Sequence, residues 1–486
     1  MSSHTTAKAL WTSLGLPLSE TNLLTLSRDA KLVLNSSFKL GEAAQAAIGV
    51  SALSAAYFHK LRTAVEQKVS VDARHAAIEF HSEVFYTFNE KPPPALWDAI
   101  AGLYVTADGH VRIHTNFPHH RRGILDILKL PDHPDVSRDK VQERLAHWKA
   151  VDFEAEAAAR AMCATALRTF SQWDAHPQAE FLKGVPPVQL IKIGEAPKRK
   201  FDSESAPQSP LDGIRVLDLT RVIAGPVAGR TLAAHGADVL LITSPSLPSL
   251  PALDMDTSRG KRTAQLDLTN EADKQTLKDL VSACDVFLQA YRPGALAAKG
   301  FGPSDLAEAR PGIVYASLCA WGWEGPWKDR RGFDSLVQTA TGFNDAEGAA
   351  YADAHKEAES KPRPLPVQAL DHAAGYLLAA GINAALCKTI SEGGSWEVRV
   401  SLAGVGQWIR SLGQLSSEDA FLRAAPLPAP SFPQDPEIQA LSEMWHDREG
   451  KPIMTAIKHS AVMEKTPVKH GRAPIHLNAD RPEWEQ

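Results

Sequence analysis

Apolar and polar positions along this chain alternate with two rhythms. Residues 40–66 form an Ala-rich apolar run with helical spacing, and a second long apolar helix is predicted to follow Asp371, with no other acidic or basic residue before Lys388. Between them, short aliphatic runs alternate with longer amphipathic ones. Strands are predicted at 214–219, 238–243, 264–268, 285–289 and 313–318, separated by helices. That alternation predicts an α/β fold, a parallel sheet with right-handed crossovers in a Rossmann-like layout. Residues 1–32 are mixed polar and weakly helical, and residues 94–190 carry short strands (103–105 and 110–114) among charged helices, the pattern of a smaller α+β domain. Residues 194–210 are basic, Ser- and Pro-containing and almost free of apolar residues, so a linker is predicted there. Residues 344–366 are predicted as a polar, acidic, Pro-rich loop and 426–436 as a Pro-rich extended segment. The predicted division is 1–93, an N-terminal helical segment; 94–193, the small α+β domain; 194–210, the linker; 211–425, the Rossmann-like domain; and 426–486, an extended tail returning to it.

The two apolar helices also align with each other. Glu42-Ala43-Ala44 falls on Asp371-His372-Ala373 at an offset of 329 (371 less 42), and the same offset puts Val69-Ser70-Val71 on Val398-Arg399-Val400. Two Ala-rich helices can match by chance, but the strand after each helix matches too, which favours an internal repeat. Residues 1–93 then read as part of a first copy of the large domain, with Glu42 standing where Asp371 stands.

Composition narrows the class. At 486 residues, with 44% hydrophobic and 22% charged, the chain has ordinary globular values and room for two to four domains. A net charge of −5 gives no electrostatic reason to bind nucleic acid or an anionic membrane. Cys163, Cys284, Cys319 and Cys387 lack metal or disulfide spacing and read as reduced thiols. No apolar run reaches the ~18 residues of a membrane span. The N-terminus lacks a signal-peptide pattern, Met1 to Ser27 contains no Arg, and Pro482 to Gln486 does not end in a peroxisomal tripeptide. A cytoplasmic location is therefore expected.

Asp371 is the candidate catalytic residue. On local pattern alone, an acid at the mouth of an apolar helix is more often a cap for the first-turn N–H groups than a nucleophile near the helix dipole. The surrounding motifs shift that balance. Pro210 to Pro226 (reading PLDGIRVLDLTRVIAGP) resembles the opening strand and loop of the class III CoA-transferases, which include formyl-CoA transferase, carnitine CoA-transferase and the alpha-methylacyl-CoA racemases. Gly236-Ala237-Asp238, Arg259-Gly260-Lys261-Arg262, Arg292-Pro293-Gly294, Gly322-Trp323-Glu324-Gly325-Pro326 and Arg331-Gly332-Phe333-Asp334 follow in that family's order. Asp371 falls at its catalytic aspartate. Residues 94–190 resemble its small domain, here placed before the catalytic half rather than after it. The chain thus looks like two family copies, fused and trimmed.

The resemblance implies a CoA transfer from an acyl-CoA thioester to a carboxylic acid, through an aspartyl anhydride and an aspartyl-CoA thioester at Asp371. Coenzyme A or acyl-CoA would be the substrate, with no metal. Val222, Ile223 and Ala224 would let the backbone approach CoA, Lys261 and Arg262 would neutralise its phosphates, and Tyr291, with Arg292 beside it, would cover the adenine or pantetheine. Partners would be an acyl-CoA and a small carboxylic acid. The assembly would be a monomer with an internal pseudo-dimer or a homodimer. Departures from the family pattern fall at Ile223, Thr243, Ser244 and Ala290, and its glycine-run flap is absent. A racemase is the nearest alternative, but the His that such an enzyme needs is replaced by Phe333. His372, next to Asp371, should diverge from it by about 100° around the helix. His114, His119 and His120 lack metal spacing. A non-catalytic acyl-CoA-binding descendant is the alternative of a different class.

Overall fold

A computed structural model of the chain describes residues 2–201, 207–468, 471–474 and 476–485. Its centre is a seven-stranded sheet in the spatial order Arg262–Gln265, Asp238–Thr243, Arg215–Leu219, Val286–Gln289, Val314–Cys319, Ser395–Ser401, Gln189–Gly194. The first six are parallel, and only Gln189–Gly194 runs antiparallel. Numbered along the chain, the parallel strands lie 3-2-1-4-5-6, the order of the doubly wound dinucleotide-binding folds. Such strands are covered on both faces and read as continuous apolar runs: every residue of Val286–Gln289 and of Val314–Cys319 is buried. Order of this kind puts a crevice at the carboxyl ends of Arg215–Leu219 and Val286–Gln289, where the winding reverses.

The Ala369–Ser391 helix is long and apolar enough to cross a membrane by length and composition, beyond what its sequence suggested, yet 89% of its apolar window is buried within the protein. Being apolar on every side, it takes the place of a core helix. It packs chiefly on the Leu40–Thr63 and Ala224–Ala234 helices. A Cβ at Gly375 would lie 2.7 Å from the Ala224 carbonyl, so glycine is what lets the first turn of Ala224–Ala234 approach the start of this helix.

The repeat is visible in three dimensions. Leu40–Thr63, Val69–Asp72 and Ala73–Glu79 reproduce Ala369–Ser391, Ser395–Ser401 and Leu402–Ser411. Asp72 and Ser401, equivalent positions, each cap the following helix. A small sheet, Leu24–Ser27, Val69–Asp72, Ala461–Met463, is parallel and then antiparallel, as are Val314–Cys319, Ser395–Ser401, Gln189–Gly194. Asn383 Nδ2 donates to Ser54 Oγ at 3.2 Å, a pair 329 residues apart. Equivalent positions in contact mark the local two-fold axis between the two long helices.

Three sequence expectations change. Gln189–Gly194 belongs to the large sheet rather than to the small domain and linker; residues 202–206 of that linker lie outside the described residues. The expected loop at 344–366 begins with a helix, Phe343–His355, because two of its polar residues face inward: Asn344 and Glu347 are buried, and Glu347 Oε2 accepts from the Ser37 N–H at 3.0 Å. The C-terminal tail is not only extended and joins the N-terminal part of the chain as well as the large domain. Ser442–His446 pairs with Pro452–Ile457, which pairs in turn with Thr87–Phe88, and Ala461–Met463 completes the small N-terminal sheet. It meets the large domain along the way, where Arg259 Nη1 donates to the Ile457 carbonyl at 2.9 Å, and again where Asp480 accepts from the Thr263 N–H. Gly102–Val105, His110–Ile113 and Ala164–Ala166 form the antiparallel sheet of the small domain.

Candidate active site

Asp371 is the third residue of its helix and does not cap it. The cap position is Gln368, without a side-chain bond, and the first-turn N–H groups go to another carboxylate. Asp334 Oδ2 accepts from Leu370 N at 2.7 Å and from Asp371 N at 3.0 Å, while its Oδ1 accepts from Gln338. The Asp371 carboxyl is thereby left free of that duty, 7% exposed, facing cavities. Burial first, and then the Asp334 and Glu83 carboxylates, hold it well above the usual carboxylate range. Burial likewise raises Asp334, against the pull of the N–H groups it accepts. His372 diverges as its helical position requires: Nε2 lies 2.9 Å from Glu83 Oε2 and the ring stacks on Phe80.

Two cavities meet at Asp371. The first, about 330 Å³, opens at the crevice set by the strand order and is basic: Arg221, Arg292, Lys328, Arg330 and Arg331 line it with Tyr291. Val222, Ile223 and Ala224, the turn after Arg215–Leu219, form its floor beside Asp371. Val222 has φ 75°, a left-handed conformation that is strained for a β-branched residue. Tyr291 N–H donates to Gln289 Oε1 at 2.8 Å, which fixes the turn after Val286–Gln289. Thr243 and Ser244 line a smaller cavity of about 240 Å³ that shares Arg221 and Val222 with the basic one. The second cavity at Asp371, about 690 Å³, is mostly apolar, with walls from Phe85, Leu96, Leu253, Leu365, Val367 and Phe432.

Two expected phosphate ligands are committed elsewhere. Lys261 Nζ lies 2.8 Å from Asp218 Oδ2 and 2.9 Å from the Pro226 carbonyl, with neither side chain of the ion pair exposed, so no phosphate reaches it. Gly229 makes room for this pair, since a Cβ there would come within 2.2 Å of Asp218 Oδ2. Arg262 grips Asp238 through Nε and Nη2 at 2.9 and 2.8 Å and donates Nη1 to the Glu483 carbonyl. Cations that do line the basic cavity, Arg221, Lys328 and Arg331, were legible as the residue before Val222 and as the run Lys328-Asp329-Arg330-Arg331 ahead of Gly332. Arg112 and His114 in the apolar cavity were also missed. Their signal is the alternation Arg112, His114, Asn116, which puts three polar residues on one face of an extended segment. His114 stacks on Phe333 with centroids 3.9 Å apart, and burial, then Arg112, pushes it down to about 3. Among the described residues no group of three or more His, Cys, Asp or Glu side chains is placed to hold a metal ion.

Comparison with known proteins gives the family. Residues 211–472, more than half of the chain, match the model of CoA-transferase family III. The chain belongs to that family. Among its curated relatives, it is 30% identical to the acetyl-coenzyme A transferase nodX of Hypoxylon pulicicidum over 65% of this chain and 55% of that protein. It is 35% identical to a probable fatty acyl-CoA transferase of Mycobacterium tuberculosis over 46% of this chain and 59% of the relative. It is 31% identical to the human succinyl-CoA:glutarate CoA-transferase over 30% and 36%. A crystal structure of the M. tuberculosis protein aligns with 34% identity and a TM-score of 0.38, covering 42% of this chain and 57% of the other. The chain spans little more than half the length of the first two relatives.

Proposed function

We propose that the protein is an acyl-CoA:carboxylate CoA-transferase with Asp371 as nucleophile. One observation carries this reading: a carboxylate freed from capping its own helix stands where a basic cavity and an apolar cavity meet. CoA in the basic cavity and the acyl group in the apolar one bring the thioester carbon to Asp371. The carboxylate attacks that carbon and CoA thiolate leaves, giving a mixed anhydride. The thiolate attacks the aspartyl carbonyl and expels the donor acid, leaving an aspartyl-CoA thioester. An acceptor carboxylate attacks this thioester, re-forming an anhydride and releasing the thiolate. Attack of the thiolate on the acceptor acyl carbon gives the new acyl-CoA and restores Asp371. Backbone N–H groups of the first turn of Ala224–Ala234, which lack intrahelical partners, suit the developing oxyanion. Val222, Ile223, Ala224, Tyr291 and Arg292 would contact CoA, with Arg221, Lys328 and Arg331 meeting its phosphates. Apolar walls keep water from the anhydride. Four buried, unpaired cysteines suit a reducing, cytoplasm-like compartment.

A racemase needs a second proton carrier at Asp371. The imidazole of the apolar cavity that stacks on Phe333, His114, is pushed down to about 3, a poor match for proton transfer near neutrality. The test is covalent trapping. Incubation with octanoyl-CoA and quenching with hydroxylamine should mark Asp371, by peptide mass. Asp371→Ala should abolish both the mark and transfer to a free acid while leaving the melting temperature within a few degrees. Activity above a few per cent in Asp371→Ala removes the assignment.

A further inference from the structure

The apolar cavity contains one charge that the transfer chemistry above does not use. Arg112 is 7% exposed, yet no described residue accepts a hydrogen bond from its guanidinium, and its Nε is buried without a partner. It rests against the Trp97 ring at 5.1 Å. Asp334 is the acid close enough to act on it, but both Asp334 oxygens are already engaged, by Gln338 and by the first turn of the catalytic helix. A buried, unpaired guanidinium is costly, so such a group is retained where a ligand completes it. Among the described residues lining this cavity, Arg112 is the sole Lys or Arg.

We propose that Arg112 is the acid-recognising residue of the apolar cavity, taking the carboxylate of a bulky apolar monocarboxylic acid in a two-pronged hydrogen bond beside Asp371. This rests on the transferase reading, because that reaction alternates a neutral acyl thioester with a free, anionic acid in the same space. A fixed cation discriminates between the two. It draws in the acceptor acid, and it offers nothing to the thioester, whose phosphates lie in the other cavity. His114, two residues on and facing the same space, is held neutral and adds no second positive charge. One cation for one carboxylate points to a monocarboxylate. A second carboxylate would meet Glu83 and Asp435 on the same walls rather than a cation. The rest of the lining, with Phe85, Leu253, Val367 and Phe432, suits an aliphatic or aromatic body, and about 690 Å³ accommodates a large one.

Binding is tested without turnover. By isothermal titration calorimetry, the wild-type protein should prefer octanoate to octanamide by about tenfold or more, the ~1.4 kcal/mol or more of one charge-assisted contact. Suberate, with its second carboxylate, should bind more weakly than octanoate. Arg112→Met should erase the preference for octanoate and leave octanamide within twofold; Arg112→Lys, keeping charge but not the fork, should fall between them. The proposal is overturned if the wild type binds the acid no better than the amide, if suberate binds as tightly as octanoate, or if Arg112→Met weakens both eight-carbon ligands alike. Should Arg112→Met not fold, the wild-type comparison and Arg112→Lys still decide. Trapping at Asp371 by octanoyl-CoA should persist in Arg112→Met. Loss of trapping in the wild type would sink the transferase reading and leave the binding result standing.

Discussion

At the scale of single residues, Asp334 and Asp371 divide two tasks that one carboxylate performs in an ordinary capped helix. Asp334 takes the N–H groups, which leaves the Asp371 oxygens free of that duty and, on the proposed mechanism, available to substrate. The arrangement sets the pH dependence. As the proposed nucleophile, Asp371 would have to ionise to attack, and burial, then the Asp334 charge, raises the pH at which it does so. Single-turnover loading from acyl-CoA should therefore rise with pH along a limb centred above the ordinary carboxylate value of 3.8. Asp334→Asn, which keeps an acceptor for the helix but removes the charge, should move that limb to lower pH; an unmoved limb, or one moved upward, would refute the coupling. Lys261 teaches the complementary lesson. Sequence placed it on phosphate, while the fold encloses it with Asp218, and a basic residue in a glycine-flanked turn reads the same in both cases. Burial is set by Gly229 and the Ala224–Ala234 helix above it, which no local pattern reveals. Lys261→Ala should cost about 3–5 kcal/mol of stability by stranding Asp218. Equilibrium denaturation would check this, and a rise in the KM for acyl-CoA without loss of stability would restore the phosphate role.

At the scale of elements, what was legible followed from burial on both faces. Four of the five parallel strands expected between 214 and 318 form within one residue of their predicted limits, because aliphatic runs leave few alternatives, while the one expected at 264–268 forms two to three residues earlier, at Arg262–Gln265. Gln189–Gly194 was hidden because an antiparallel edge strand shows no such run: every one of its residues is partly exposed or exposed. The repeat gives a sharper test. Glu42 is the third residue of Leu40–Thr63, as Asp371 is of Ala369–Ser391, and each helix starts without a side-chain cap. Glu42 is buried with Oε2 unpartnered, and burial, outweighing Lys39, raises its pKa from the ordinary 4.5. A carboxyl with a raised folded pKa stabilises fully below its unfolded value and loses that contribution as pH rises through the folded one. Glu42→Gln should thus melt higher than wild type at pH 8, with the gain shrinking towards pH 4, and should leave the transfer rate within about twofold. Loss of turnover at unchanged melting temperature would instead place both ends of the pseudo-dimer in one active site.

At the scale of the whole molecule, the site is a meeting of segments far apart in the chain: residues 81–97 after the first repeat, 112–116 of the small domain, 221–225 and 290–295 at the crevice, 365–371 before the catalytic helix, and 429–438 of the Pro-rich segment. Sequence indicated Asp371 and the crevice turns because they sit in contiguous motifs; the apolar cavity exists only once segments from 81–97 to 429–438 converge, and Arg112 was invisible for that reason. The same convergence fixes how many sites one chain can build. Around Asp371, the basic cavity depends on the turns after Arg215–Leu219 and Val286–Gln289. The three-stranded sheet beside Glu42 matches only the last three strands of the large sheet and has no counterpart of those two. On the proposed mechanism CoA would therefore have one seat per chain, whatever the number of chains in the assembly. Intact-mass analysis after saturation with an acyl-CoA should show labelling that levels off at one equivalent per chain, with peptide mapping placing it on Asp371 and none on Glu42. A plateau at two equivalents, or label on the first long helix, would mean that the trimmed copy still loads CoA and that the chain carries a working pair of sites.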